Sequence, residues 1–564
     1  MLQLVDRTAM TTHIIKIKEV EEYLSWCYEN PNKISKKIWK LIENIVDPTL
    51  NRNDIFFDEQ KYRDCLGYCK KWYYDFFPYQ KFILAFFFLF EVESKEPVFK
   101  KFIILMGRGN GKDGFIMPIM NFLQTPLYGI KNYNIDLVAT SEDQIKDTFD
   151  VVYSVLNDNR KFFNHKFWIG KEKIMNFATK SILRYNTSNA TTKDGKKTGC
   201  VVFNEYHAYV EKKKIDVYTS GAGKIPHFRE VIITTQGEVR GGLLDEQLDI
   251  CDQVLEGEYS SLGYFPFLCM LDDPKEVDDP DCWIKPNPSI DYMPTLKKKI
   301  MDQYQEMKIV PSKKSEFMTK RMNIPERDEA KCVASWADIK ATNQPVPDLE
   351  NEDCLIGIDY SEIHDFCGVV LEFKKNGKRI FKHHSFICSS CKVLHDIKFD
   401  LSLAIEMGLA TILEGPTMDF EQVIDWIMTQ AKLYRILGIA LDTFRYSLLK
   451  NAFEKYGLFP HDKQHPDGVI YLVRNGSATH NKVAPVIDDM FARHNAIFGD
   501  DPMMRWYTNN TAVKLDGKGN KTYEKIEPLL RKNDGFMALV HVMSIDDLLI
   551  EKKNSGRILD VITF

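Results

Sequence analysis

A chain of 564 residues is too long for one hydrophobic core and calls for two to four domains. Its 44% hydrophobic and 27% charged residues exclude a disordered chain, and a formal net charge of −5 excludes a histone-like basic protein. Local basic tracks survive that exclusion: Lys212–Lys214 and Lys297–Lys299 are two, although each taken alone reads first as a solvated face.

Residues 1–70 read as an N-terminal helical region attached to the first domain. The longest apolar run, Phe82–Phe90, predicts a buried helix; it is far short of the ~20 residues that cross a bilayer, so no membrane is expected. The N-terminus lacks the basic, apolar and small-residue layout of a signal peptide. Twelve scattered cysteines, with Cys388–Cys391 a lone CxxC, predict reduced thiols in a cytosol. His383-His384 and the run His461–His465 lack the helical spacing of metal ligands and read as surface residues.

Aromatics gather in Trp72–Gln80 (WYYDFFPYQ). The Gln80 amide, donor and acceptor at once, could read an adenine edge, although an aromatic core cluster explains the same residues. Next comes Lys101–Gly114 (KFIILMGRGNGKDG): an apolar strand Phe102–Met106, a glycine-rich turn, and Lys112 opening a helix. Backbone N–H groups of such a turn, the helix dipole and the lysine together cradle a phosphate. The strict P-loop pattern has Gly where Met106 stands and Ser/Thr where Asp113 stands, so a plain strand–helix turn stays open at this point.

Further strands follow at Ile135–Thr140, at Gly199–Phe203 running into Asn204-Glu205, and at Val231–Thr235 running into Gln236-Gly237. Apolar strands whose polar residues collect at their carboxyl ends are a doubly wound α/β signature. Glu205 would face the glycine-rich loop, placed to polarise a water attacking a γ-phosphate.

The set PYQKF (78–82), GRGNGK (107–112), VVFNEYHAY (201–209) and ITTQG (233–237) resembles the ATPase half of tailed-phage terminase large subunits, the motors that pump DNA into procapsids. The resemblance continues through Trp283, Asn287-Pro288 and FMTKRMN (317–323). It implies a P-loop (ASCE/RecA-like) ATPase domain over 71–325, with ATP and Mg2+ as cofactors. It also implies Gln80 beside adenine, Gly107–Asp113 (Gly107, Arg108, Gly109, Asn110, Gly111, Lys112, Asp113) around the phosphates with Arg108 as a phosphate-side arginine and Lys112 as the phosphate lysine. Glu205 becomes the catalytic carboxylate, and Thr234, Thr235, Gln236 and Gly237 couple hydrolysis to DNA movement. The family usually has Ser/Thr after the lysine and Asp before the Glu. Here Asp113 and Asn204 stand there, which suggests a magnesium site whose carboxylate has moved to the loop.

Residues 326–352, charged and broken by Pro345 and Pro347, read as a linker. From 353 to 564 a new pattern begins. Cys354–Ile358 delivers Asp359; Phe366–Phe373 and Arg379–Ile387 flank Asn376-Gly377, a hairpin signal. Helix Val393–Met407, strand Ala410–Leu413, helix Glu421–Leu433 and strand Leu437–Leu441 with Asp442 follow. After a strand at Val469–Arg474, a final helix Phe536–Leu549 starts just past Asp534. The order resembles the RNase H-like nuclease fold, in which three such aspartates converge. Clustered carboxylates repel unless divalent cations neutralise them, and two metals roughly 4 Å apart cut phosphodiesters. Alone, each aspartate is equally a turn or helix cap; the terminase nuclease half has the same order, and RKNDGFMALVHVM (531–543) is close to its third acidic motif. Asp359, Asp442 and Asp534 are therefore expected to hold two Mg2+ or Mn2+. Asp365 and Glu414 are weaker candidates, and Trp506 beside Arg505 could stack on DNA or sit in the core.

What the resemblance implies as a whole is packaging of double-stranded DNA with metal-dependent cutting of concatemers. Its partners would be a portal protein, a small terminase subunit and further copies in a pentameric ring, in the host cytoplasm and transiently on the procapsid. A non-viral helicase–nuclease, or a DNA-binding scaffold with both sites decayed, are the rival readings.

Overall fold

Lys101–Leu105 is a strand because Phe102, Ile103, Ile104 and Leu105 are all buried, in a sheet covered on both faces. The computed structural model describes residues 13–187, 197–209, 212–221, 223–237, 242–310, 313–325, 332–360, 366–391, 394, 397, 399–415, 418–515, 519–526 and 531–551. Two compact units divide the chain, Met1–Glu326 and Arg327–Phe564. Among the described residues no helix is long and apolar enough to cross a membrane.

In the first unit β1 (Ile55–Phe57) and β2 (Leu89–Glu91) form a small antiparallel pair. The main sheet contains β3 (Lys101–Leu105), β4 (Ile135–Ala139), β5 (Phe167–Ile169), β6 (Lys173–Asn176), β7 (Ile182–Thr187), β8 (Cys200–Asn204), β9 (Arg229–Thr234) and β10 (Tyr264–Leu268). Their order is β10-β3-β9-β8-β4-β7-β6-β5. Neighbours from β10 to β7 are parallel, while β6 and β5 add an antiparallel edge. One strand, β9, thus separates the loop-bearing β3 from the Glu205-bearing β8. This is the P-loop (ASCE/RecA-like) layout, and it sets the carboxyl ends of β3, β9 and β8 side by side.

The apolar run Phe82–Phe90 is not one helix. Pro78–Phe86 is helical, the chain then turns, and Leu89–Glu91 pairs with β1. A wholly buried run has no periodicity to tell helix from strand. Its rings build the core: Phe87 stacks on Phe102 at 3.9 Å and Phe86 on Phe265 at 4.6 Å, each such ring contributing roughly 2–3 kcal/mol. The helix Lys18–Glu29 joins this core through Tyr23, 4.6 Å from Phe82. The β5–β7 edge has no clear sequence signal, since β5 and β6 are only three and four residues long and β7 mixes polar with apolar residues.

The second unit holds β11 (Asp353–Asp359), β12 (Phe366–Lys375), β13 (Lys378–Cys388), β14 (Ala410–Leu413), β15 (Arg435–Asp442), β16 (Ile470–Val473) and β17 (Ala496–Ile497). The order is β14-β13-β12-β11-β15-β16, with β17 also on β13. β11, β12 and β13 form an antiparallel meander, and β15 and β16 run parallel to β11, which is the expected RNase H-like layout. Asn376 (φ 55°) and Gly377 (φ 72°) are both left-handed, as a two-residue type I′ hairpin requires.

Several elements differ from expectation. The helix expected over Val393–Met407 is Leu401–Glu406 among the described residues, and the last long helix is Asp534–Met543. A separate hairpin, β18 (Thr511–Leu515) with β19 (Lys521–Lys525), had no sequence signal strong enough to find. The stretch read as a linker, 326–352, is from Cys332 onward part of the second unit: Val333 and Ile339 are buried in its core, and Trp336–Lys340 is a helix. Such widely spaced apolar residues among charges leave no periodic trace. None of the twelve cysteines forms a disulfide, and ten of them are buried.

Candidate active sites

The glycine-rich loop is fixed by hydrogen bonds to segments far along the chain. Met106 N–H donates to Thr234 O, Gly107 N–H to Pro286 O at 2.9 Å and Arg108 N–H to Lys320 O at 2.7 Å. Asn110, buried, donates to Gly107 O at 2.8 Å and to Asn287 Oδ1 at 2.7 Å, and its Oδ1 accepts from Ser289 N–H. Asn287 in turn donates to Arg321 O at 3.0 Å, while the Arg321 guanidinium donates to Arg108 O. A side chain at 107 would overlap Asn287 and stand 2.5 Å from Arg321 O, so only glycine fits there. Gly109 (φ 92°) and Gly111 (φ 74°) supply the left-handed turns, Gly111 capping the helix Lys112–Leu123.

Lys112 is buried and its Nζ donates to Met106 O at 3.2 Å. Burial pushes its pKa down, against the pull of Glu205 and Asp113. Asp113 Oδ1 accepts from Thr148 Oγ1 at 2.9 Å and from Asn204 Nδ2 at 3.0 Å, and Asn204 Nδ2 also donates to Thr148 Oγ1 at 2.6 Å. Burial raises the Asp113 pKa despite the Thr148 hydrogen bond. Asn204 Oδ1 is buried with no hydrogen-bond partner among the described residues. For Glu205, burial pushes the carboxyl up, but the His207 hydrogen bond and the Lys112 charge outweigh it and hold the pKa at about 2. Glu205 also sits in the left-handed region at φ 50°, ψ 53°, a conformation costing a non-glycine residue of order 1 kcal/mol and common at functional positions.

Gln80 lies just behind this site. Its Oε1 accepts from Phe77 N–H at 2.9 Å and Tyr74 OH at 3.2 Å, and its Nε2 donates to Tyr79 OH at 3.3 Å. In this arrangement it caps the Pro78–Phe86 helix. Arg108 is exposed and borders a 330 Å³ cleft with Lys299, Lys313, Lys320 and Arg321. Thr234, Thr235 and Gln236 are buried at the end of β9, where Gln236 N–H donates to Asn323 Oδ1 at 3.1 Å.

In the second unit Asp359 ends β11 and Asp442 ends β15. Their preceding residues, Ile358 and Leu441, are register partners, so the two aspartates leave adjacent parallel strands together. Asp359 is also the register partner of Gly368 on β12. A side chain at Gly368 would stand 2.7 Å from Asp534 O, so the third aspartate rides directly over that glycine. Gly357 is as tightly covered, by Ala538 and Val542 of the same helix. His541 Nδ1–H donates to Ile358 O at 2.8 Å, tying the helix to β11. Asp534 pairs with Lys525 of β19 at 3.3 Å, and Asp442 Oδ1 accepts from Phe444 N–H at 2.8 Å, capping the helix Thr443–Lys455. Among the described residues no group of three or more His, Cys, Asp or Glu side chains is gathered so as to hold a metal ion. The elements converge, but two of the three carboxylates are engaged with a lysine and a helix cap.

Other expectations fall differently. Glu414 is exposed beyond the end of β14, three strands from β11, about 14 Å away at normal strand spacing, and so stands apart from Asp359. Asp365 lies outside the described residues, as do the side chains of Lys213 and Lys214. His383 and His384 are not surface residues. Both faces of the β13 region are covered, so successive side chains are buried on opposite sides. His383 bridges Asp501 (3.1 Å) and Ser385 (2.7 Å), which meets Tyr507 at 2.8 Å. Ser385 is fully buried, so this string is scaffolding beneath Gly535 and not a nucleophile. Trp506 is core, packed on Phe399 at 5.1 Å. His461 and His465, with Lys450, Arg474 and Lys482, border an 840 Å³ cleft beside β16.

Thr148, His207, Asn287, Lys320, Arg321 and Lys525 were not singled out from the sequence as site residues. Only position within quoted motifs could have flagged His207, Asn287, Lys320 and Arg321; Thr148 and Lys525 had no signal.

Comparison with known proteins matches both halves. The family model for the terminase large subunit ATPase domain covers residues 78–253, and that for the terminase large subunit endonuclease domain covers 258–545. Within the latter span, β10 pairs with β3 and belongs physically to the first unit. Terminase large subunits of Lactococcus phages SK1 and p2 are each 23% identical over 429 residues, covering 74% of this chain and 77% of theirs. The crystal structure of the HK97 bacteriophage large terminase is 16% identical, with 86% of this chain and 100% of that chain covered at a TM-score of 0.47. With both family models matched in chain order and the endonuclease model alone spanning half of the sequence, the chain belongs to the terminase large subunit family, the ATPase–endonucleases of phage DNA packaging.

Proposed function

We propose that Lys112, Glu205 and the Asp113–Asn204 pair form the ATP-hydrolysing centre of this terminase, and that Asp359, Asp442 and Asp534 form its DNA-cutting centre. Asn204 carries the first half of the proposal. Its buried amide spends its N–H groups on Asp113 and Thr148 and leaves a carbonyl oxygen with no donor, beside a carboxylate. Carbonyl and carboxylate oxygens are the hard donors that magnesium prefers, so the residues fit a magnesium–ATP complex whose carboxylate comes from the loop. Bound there, Mg2+ would neutralise charge on the β- and γ-phosphates. Lys112 would leave Met106 O for those phosphates, with the Gly107–Gly111 backbone around them and Arg108 alongside. Glu205, ionised at any pH above about 2, would orient the attacking water. Gln80 would serve adenine with what remains of its amide, and Thr234–Gly237 would pass the hydrolysis step to DNA movement.

In the nuclease unit three aspartates at element ends are a hard-oxygen set suited to two Mg2+ or Mn2+, which would activate water and stabilise the leaving oxygen. Asp534 would exchange Lys525, and Asp442 its helix cap, for the cations. The substrate is viral double-stranded DNA, cut from concatemers when packaging starts and ends. The partners are a portal protein, a small terminase subunit and further copies in a pentameric ring, in the host cytoplasm on the procapsid. Family membership sets aside the non-viral helicase–nuclease.

Asp113→Ala and Asn204→Ala, assayed for ATP hydrolysis over a magnesium titration, test the shifted carboxylate. The expected result is a drop of at least about tenfold for Asp113→Ala, partly recovered at high Mg2+. Wild-type hydrolysis by Asp113→Ala would sink it.

A further inference from the structure

His207 stands where three elements meet around Glu205. Its Nδ1 lies 3.1 Å from Glu205 Oε2 and 3.1 Å from Thr234 Oγ1, and its backbone N–H donates to the same Thr234 hydroxyl at 3.2 Å. On the other side of the ring, Nε2 meets Lys320 Nζ at 3.0 Å. An ammonium can only donate, so Nε2 is the acceptor and the imidazole is the neutral tautomer with its proton on Nδ1. That proton points at a carboxylate and a hydroxyl. The Thr234 hydroxyl donates onward to Thr235 O at 2.8 Å, so it receives from His207. The order of donation therefore runs from Lys320 through His207 to Glu205, with Thr234 held on the same nitrogen.

Each end of this chain belongs to a different part of the ATPase unit. Lys320 is in the last turn of the helix Lys314–Met322; its Nζ also donates to Gln236 O at 3.3 Å, and its carbonyl accepts the Arg108 N–H of the loop. Thr234 ends β9. Gly237 lies against the imidazole so closely that a side chain there would stand 2.9 Å from His207 Cβ. Glu205 needs such support, because its left-handed backbone is not one the residue adopts by itself.

We infer that His207 is a positioning residue: it fixes the Glu205 carboxylate for attack on ATP and makes that orientation depend on the Thr234–Gly237 strand end and on Lys320. A shift of either would swing the carboxylate, which is how movement at the strand end and hydrolysis could be made conditional on one another. The inference rests on the reading of Glu205 as the catalytic carboxylate.

The test is steady-state ATP hydrolysis by the full chain, with binding of a fluorescent ADP analogue and thermal melting measured in parallel. His207→Ala should lower kcat by about 10- to 100-fold, the cost of misplacing a catalytic group by about 1 Å, with KM, ADP binding and melting unchanged. His207→Gln can accept from Lys320 and donate to Glu205 and should recover much of the loss; Lys320→Met should resemble His207→Ala. Unchanged kcat in His207→Ala overturns the inference, as does a loss matched in ADP binding and melting, or a Gln variant no better than Ala. Glu205→Gln, run alongside, separates the two readings: wild-type hydrolysis by that variant removes the carboxylate assignment itself, whereas its loss together with an unaffected His207→Ala removes only the role of His207.

Discussion

The two candidate sites are held together in different ways. In the ATPase unit the loop is held largely by a polar network: Asn110, Asn287, Ser289, Arg321 and Asn323 tie β3 and β9 to segments up to about two hundred residues away in sequence, beside backbone hydrogen bonds and one close approach at Gly107. In the nuclease unit the element ends that carry Asp359, Asp442 and Asp534 are set beside one another by close backbone approach. Gly357 and Gly368 let the helix Asp534–Met543 lie on β11 and β12, and Gly535 lets it pass Tyr507. A polar network can rearrange by exchanging partners, as a site that closes on a nucleotide must. A glycine-floored contact has no such alternative and suits a site whose ligands must stay at fixed spacing.

The most severe way to break the comparison is to remove one acid from each site. Glu205→Gln should cost roughly a thousandfold in ATP hydrolysis, the size seen when a charge aimed at a transition state is lost. It should leave metal-dependent nicking of supercoiled plasmid intact. Asp359→Ala should do the reverse. If either variant damages both activities, or the wild type cuts no plasmid with Mg2+ or Mn2+, the assignment of two independent sites fails.

How far the sequence shows these sites depends on how each is built. Asp359 and Asp442 stand out as candidates because each ends an apolar strand, and Asp534 because a helix starts there. Glu205 stands out for the same reason. The cross-ties were hidden: nothing local in Asn110 or Thr148 says which distant atom it meets, and a hydrogen bond across 177 residues, as from Asn110 to Asn287, leaves no periodic trace. His383 and His384 lack the spacing of metal ligands and so read as surface residues; only the packing of both faces of the sheet buries them. Lys525 sits on a hairpin too short and polar to be seen.

A second way to sharpen the comparison is to disturb each site's scaffold. Gly368→Ala forces a methyl against the backbone of Asp534 and Gly535, neither of which can yield cheaply, and should destabilise the nuclease unit by about 3 kcal/mol. Asn110→Ala in the ATPase unit removes hydrogen bonds from a network with other members and should cost only about 1–2 kcal/mol. Chemical denaturation followed unit by unit checks this; equal losses would mean that the loop network is as rigid as the glycine contact.

The mildest probe is acid. In the nuclease unit burial holds His384 and His480 at about 4, and in the ATPase unit it holds His227 at about 4. The hydrogen bonds of His480 need the neutral ring: its Nδ1 accepts the Tyr523 N–H at 3.1 Å while Nε2 donates to Asn475 Oδ1 at 2.9 Å. An unfolded histidine titrates near 6.5. Between that value and about 4 the unfolded chain takes up the proton and the folded chain does not, so stability is full above about pH 6.5 and declines as pH falls toward 4. At pH 5.5 each of these three histidines should cost about 1 kcal/mol, and the nuclease unit, where burial also pushes His541 down, should lose more than the ATPase unit. Calorimetry between pH 7.5 and 5.5 should show the nuclease transition moving down further, and His480→Gln should remove part of its slope. Parallel shifts of both transitions would show that carboxylates, not these buried imidazoles, set the acid limit.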